Sequence, residues 1–163
     1  MANTHLGIYL NDHLAASTGA LDLMKQLAEA HAGTPESASL LQIHAEISAE
    51  RAELEQLIDR LGLGESLPRQ LGTWLGGKVA QLKLQIDDKA TGALRLFEGL
   101  EALTLGIHGK RALWIVLGEL AENDAALRGP DYERLVQASE DQRQRVEIMR
   151  LAAAPAAFAP IEQ

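Results

Sequence analysis

The chain has 163 residues, 47% hydrophobic and 23% charged, with a formal net charge of −8 and no cysteine. That length fits one domain able to bury a real core, and an acidic surface repels phosphate backbones, which argues against nucleic acid as a partner. Without cysteine there is no disulfide, thiolate metal site or cysteine nucleophile.

Aromatic residues make up only 4% while Leu and Ala dominate, and both enter helices at little cost. No stretch alternates at period two long enough to make a strand, so the fold class is all-α. The opening MANTHLGIYLNDH lacks the basic and apolar regions of a signal peptide. The longest apolar run, Ala112 to Leu117, falls far short of a membrane span. The chain therefore reads as a soluble, cytoplasmic protein with no membrane partner.

A first helix is predicted from Leu6 to Ala30, with an apolar seam of Leu6, Leu10, His13, Ala16 or Ser17, Ala20, Leu23 or Met24, and Leu27. Asp12 is turned about 100° from His13. Gly33 suits the left-handed cap that ends such a helix. The second helix opens on Thr34-Pro35-Glu36, an N-cap, a proline at the first helical position and an early acid. It continues to Gly62, and its seam is Leu40, Ile43, Ile47, Glu50, Leu54, Leu57 and Leu61. Glu50 is thus a carboxylate aimed at the core, which is costly unless something compensates it. Glu53 is shifted toward the flank, and His44 lies off the seam.

A long connection follows, from Leu63 to Lys89. Its middle, LGTWLGGKVAQLKLQ, sets Trp74, Leu75, Val79 and Leu82 at helical spacing and predicts a short extra helix broken at Gly76-Gly77. A helix of about 25 residues is near 37 Å long, and this connection can travel that distance. The third helix, from about Ala90 to Asn123, offers two neighbouring stripes. One holds Leu94, Phe97, Glu101, His108, Ala112, Ile115 and Glu119; the other holds Ala93, Leu100, Thr104, Ile107, Arg111 and Trp114. Gly106 and Gly109 point to a kink or a close helix contact. The apolar surface around Trp114, Ile115 and Val116 predicts self-association, with a homodimer as the expected assembly.

The fourth helix enters after Gly129-Pro130-Asp131 and runs to about Ala153, with a seam of Tyr132, Leu135, Ser139, Gln142, Val146 and Met149. Residues 1–153 form the expected bundle domain, and 154–163 a flexible tail. Short, long and short connections are the pattern of a four-helix bundle with one long crossover between helices two and three, the ferritin-like arrangement.

Bundles of that kind build di-metal sites from inward Glu and His side chains. The candidate ligands here are His13, Glu50, Glu53, Glu101 and His108, a donor set that suits iron or manganese. They fall on three helices. The fourth contributes Gln142 with Arg143 and Arg145 nearby, and an arginine beside a metal is unfavourable. The competing arrangement is an ion-pair layer in which Glu50 meets Arg111 or Arg143, completed by His13, Ser139 and Gln142.

The chain resembles the ferritin-like superfamily, and within it the small bacterial stress-associated bundles. The resemblance rests on Ile8-Tyr9-Leu10-Asn11-Asp12, on Ile43-His44, on Phe97-Glu98-Gly99-Leu100-Glu101-Ala102 and on Glu140-Asp141. It implies family ligand positions at Asp12, His44, Glu98, Glu101 and Glu140, with Leu41 where a glutamate would precede His44, and a stress or storage setting. Helical phase instead turns His13 and Glu50 inward. The leading reading is a non-enzymatic bundle with a degenerate metal layer, acting through protein contacts. The others are a di-iron or di-manganese oxidoreductase or ferroxidase-like protein, using His13, Glu50, Glu101 and His108, and a bundle that binds a small molecule in its interior.

Overall fold

The computed structural model describes residues 4–64 and 92–160. They form four helices, α1 (Thr4–Ala30), α2 (Pro35–Arg60), α3 (Ala93–Asn123) and α4 (Tyr132–Ala157), with a 3-10 turn at Ala125–Leu127 between the last two. No strand occurs among the described residues.

The stop and start signals act as their chemistry dictates. Gly33 takes φ +86°, the left-handed turn that a side chain would resist. Thr34 Oγ1 then accepts the Ser37 N–H at 3.2 Å and donates to the His31 carbonyl at 2.8 Å. Asp131, rather than serving as an early acid, is itself the N-cap of α4 and accepts the Arg134 N–H at 3.0 Å. That helix passes through Pro155 to Ala157, beyond the expected end at Ala153. Proline keeps a helical φ and costs chiefly the bond to the preceding turn. The Phe158 ring packs edge-on against Phe97 at 5.1 Å, tying the end of α4 to α3.

α1 packs on α2 and α3, and α4 packs on α3 and more sparingly on α2, so α2 and α3 are diagonal. Ser37 Oγ donates to the Ala28 carbonyl at one end of α1/α2 and Asn11 Nδ2 to the Leu63 carbonyl at the other, which makes the pair antiparallel. The α3/α4 pair is antiparallel too, with Glu101 beside Arg150 and Gly118 beside Tyr132. α2 and α3 run parallel, so the end of one and the start of the other lie at opposite ends of the bundle. The expected crossover and its extra helix around Trp74–Leu82 fall outside the described residues.

α3 buries its second stripe. Leu100, Ile107 and Trp114 are interior together with Leu96, Leu103 and Leu117, whereas Leu94, Glu101, His108, Ala112, Ile115 and Glu119 face out. Trp114, expected on the surface with Ile115 and Val116, is only 1% exposed and packs beside Tyr132. A helix apolar on several sides allows either phase, and the large indole takes the buried one.

The core comes in two parts. One gathers Leu27, Leu40, Ile43, Ile47, Leu103 and Val146 among others. The second gathers residues such as Leu10, Leu54, Leu113, Trp114, Leu117 and Leu135. The break falls at one height on every helix: between Leu10 and Leu23 on α1, Ile47 and Leu54 on α2, Ile107 and Leu113 on α3, and Leu135 and Val146 on α4.

Candidate functional site

The break is occupied by a polar layer. Glu50 is 4% exposed, and Ser139 and Gln142 are fully buried. The partner of Glu50 is Lys110, whose ammonium donates to Oε2 in a salt bridge. Gln142 closes the triangle, since its Nε2 donates to Glu50 Oε1 at 2.7 Å and its Oε1 accepts from Lys110 at 2.5 Å. The amide also donates to Glu46 at 3.3 Å, and Glu46 is paired with Arg145. Lys110 reaches across the diagonal from α3 to α2 on its four-carbon stem. Burial pushes its ammonium below the ordinary lysine range, against the pull of Glu50. Glu46 is raised by burial, but hydrogen bonds from Arg145 and Gln142 outweigh that and leave it lowered.

Lys110 replaces the two expected arginines for reasons of phase. Arg111, one residue on, is rotated about 100° and lies 3.7 Å from Glu140. Arg143 is held by Glu140 one turn before it, at 2.7 Å. Ser139 does not join the triangle, because its hydroxyl donates to the Leu135 carbonyl of its own helix at 2.8 Å. The residue that was missed had a signal: Leu96, Leu103, Lys110 and Leu117 recur every seven positions, a buried line with one cation in it.

The five candidate ligands are dispersed. Glu53 on α2 accepts both oxygens' hydrogen bonds from Arg134, at 2.7 and 2.8 Å. Glu101 is exposed beside Arg150, and His108 is exposed. Glu50 is bound by Lys110, and His13 is half-buried on α1 with its ring edge-on to Tyr9 at 4.7 Å. Burial lowers the His13 pKa and Asp12 only partly opposes this, so the ring is uncharged at neutral pH. Among the positions drawn from the resemblance, Asp12, His44 and Glu98 are half-buried, and Glu140 is held by Arg143 and Gln144. No three His, Asp or Glu side chains among the described residues are grouped to hold a metal.

Beside the polar layer lies a cavity of about 130 Å³ between α1, α2 and α3. Small residues line it, Ala16 and Ala20 on α1 and Gly106 and Gly109 on α3. α1 has no fully buried residue between Leu10 and Leu23, because it faces this space. Gly109 is therefore not a close-contact glycine, since a Cβ built there would meet nothing within 4 Å. Close contact belongs to Gly99, where a Cβ would come within 2.7 Å of Leu27. His13, Ser17, Arg51 and Lys110 border the cavity, with Trp114 at one wall.

No family model, curated protein or solved structure matches the chain.

Proposed function

We propose that the protein is a non-enzymatic, ferritin-like helical bundle that acts through protein contacts, a second copy of itself first among them. In this reading its interior layer is held by a lysine where a metal-binding bundle would hold cations. The observation that carries the reading is the Lys110 ammonium on Glu50. It supplies the positive charge that makes the buried carboxylate tolerable, and it would repel a metal ion brought to the same oxygens. Gln142 saturates the other carboxylate oxygen without adding charge. The parallel run of α2 and α3, with an antiparallel pair on each side, supports the ferritin-like connection with one long crossover.

Self-association is supported by apolar residues left exposed along α3, namely Leu105, Val116 and Leu120, with Ile115 beside them. Val116→Glu is the corresponding test: a dimer in sedimentation should become a monomer with unchanged thermal stability. A wild type monomeric at every concentration rules out the second copy.

For the interior, metal content is measured on protein from cells supplemented with iron and manganese. Substoichiometric metal, unchanged by Glu50→Ala, is expected. About two equivalents per chain, lost on Glu50→Ala, would overturn the reading.

A further inference from the structure

The wall of the cavity between α1, α2 and α3 is predominantly apolar, and the charged side chains on it are engaged by partners of their own. Arg51 donates to Ser17 Oγ at 3.0 Å and to Thr18 at 3.4 Å, and it pairs with Glu55 one turn along α2. Ser17 in turn donates to the Leu14 carbonyl at 2.6 Å. Lys110 is taken up by Glu50 and Gln142. Burial keeps His13 uncharged at neutral pH, and no Asp or Glu is among the described residues that line the space. What the cavity offers an occupant is therefore neutral and apolar: the methyl groups of Ala16 and Ala20 and the side chains of Ile47, Leu54, Ile107 and Leu113.

A buried water makes two to four hydrogen bonds, and a wall whose polar groups are engaged elsewhere offers few. Protein interiors leave few voids larger than a water molecule, and side chains around an empty space forgo the dispersion contacts they would otherwise make. Apolar cavities of about 150 Å³ take up a benzene ring, and this one is of similar size at about 130 Å³. It can also be reached from outside, because Leu105 at its rim is exposed and a Cβ on Gly109 would meet nothing within 4 Å. We propose that the cavity is a binding site for a small neutral apolar molecule, of the size of a single aromatic ring. The ring restores the contacts that Ala16, Ala20, Gly106 and Gly109 leave unmade, and a charged group finds no free counterion there. This goes beyond the proposed function, because the site needs neither a metal nor a second copy.

Fluorobenzene is the probe, followed by its fluorine resonance as the full chain is titrated in, and para-fluorobenzoate is its charged counterpart with the same readout. Fluorobenzene should bind saturably with a Kd of about 1 mM or tighter, which so few heavy atoms can supply. Para-fluorobenzoate should bind at least about tenfold more weakly, since its carboxylate would be buried without a partner. Ala16→Leu and Ala20→Leu, which fill the space, should each weaken fluorobenzene about tenfold or more. Val116→Glu alters a residue outside the lining and should bind as the wild type does. The comparison of the two probes on the wild type decides the matter if neither leucine variant folds. The proposal is overturned by any of four results: no saturable binding to the wild type, equal affinity for the two probes, undiminished binding in a folded leucine variant, or loss of binding in Val116→Glu.

Discussion

Removing the Lys110 ammonium while keeping its stem, as in Lys110→Met, tests the centre of the structure directly. The Glu50 and Lys110 side chains are only 5% and 15% exposed, so screening by water does not rescue the carboxylate left behind. Breaking such a pair from one side costs about 3–5 kcal/mol. Gln142 keeps its hydrogen bond to Glu50 Oε1 at 2.7 Å, which places the expected loss at the low end, about 3 kcal/mol. For a domain of this size that lowers Tm by roughly 6–12 °C, and it consumes a large share of a total of about 5–15 kcal/mol.

The double variant Glu50→Leu/Lys110→Met removes both charges and fills the layer with apolar volume. Replacing a buried pair in this way is often neutral or stabilising. The Gln142 carbonyl oxygen loses its donor, at about 1 kcal/mol, so the double variant should lie within about 1 kcal/mol of the wild type. Urea unfolding followed by far-UV circular dichroism measures both variants against the wild type. A single variant as stable as the wild type, or a double no better than the single, would refute the claim that Lys110 is what keeps Glu50 in the core.

Two glycines of α3 should respond differently to alanine. Gly109→Ala gains roughly 1 kcal/mol of helix propensity because its Cβ meets nothing within 4 Å. Gly99→Ala forces its Cβ to 2.7 Å from the fully buried Leu27, so overpacking of about 1–3 kcal/mol cancels or exceeds the same gain; thermal melts separate the two. His13 has a lowered pKa in the folded state because of burial, so its contribution is complete above the ordinary value of 6.5 and is lost as pH falls through the folded value. Urea midpoints at about pH 8 and about pH 5 should differ, and His13→Asn should flatten the difference. Hydrogen bonds from Arg143 and Gln144 hold Glu140 down to about 2 against its ordinary 4.5, so the stability it adds is present above 4.5 and disappears as pH falls through about 2. Glu140→Gln should therefore shorten the acid limb of a pH titration of stability, and added salt should narrow the gap between the two proteins because these charges are at the surface.

Legibility in the sequence differed between helices for a physical reason. α2 mixes charges and apolar residues in a single phase, and its seam residues from Leu40 through Glu50 to Leu57 are buried as the spacing predicts. α3 is apolar around most of its circumference, so period alone leaves its rotation open and the partner helices decide it. Lys110 was hidden for that reason, and also because Gly109-Lys110-Arg111 reads as a solvated polar step in the chain. The cavity was less legible still. Ala16, Ala20, Gly106 and Gly109 on facing helices fit a tight contact as well as a void, and Gly99 against Leu27 shows the tight outcome on the same helix.

What the layer does for the fold follows from where it sits. An apolar replacement of Glu50 and Lys110 would cost little, so stability is a weak reason for a buried charge pair at this height. Register is a stronger one. α2 and α4 meet sparingly and are bridged by side chains at three levels, Glu46 with Arg145, Glu50 with Gln142, and Glu53 with Arg134. Sliding the α3/α4 pair by one helical turn, about 5.4 Å, would set Lys110 against Ile47 or Leu54 and leave Glu50 facing leucine or isoleucine. The ion pair would then be broken, with Lys110 left on the neutral Gln142 that moves with it, at several kcal/mol, whereas the apolar contacts of two Leu-rich cores would survive the slip almost unchanged. The polar layer thus discriminates between alignments that hydrophobic packing alone would tolerate.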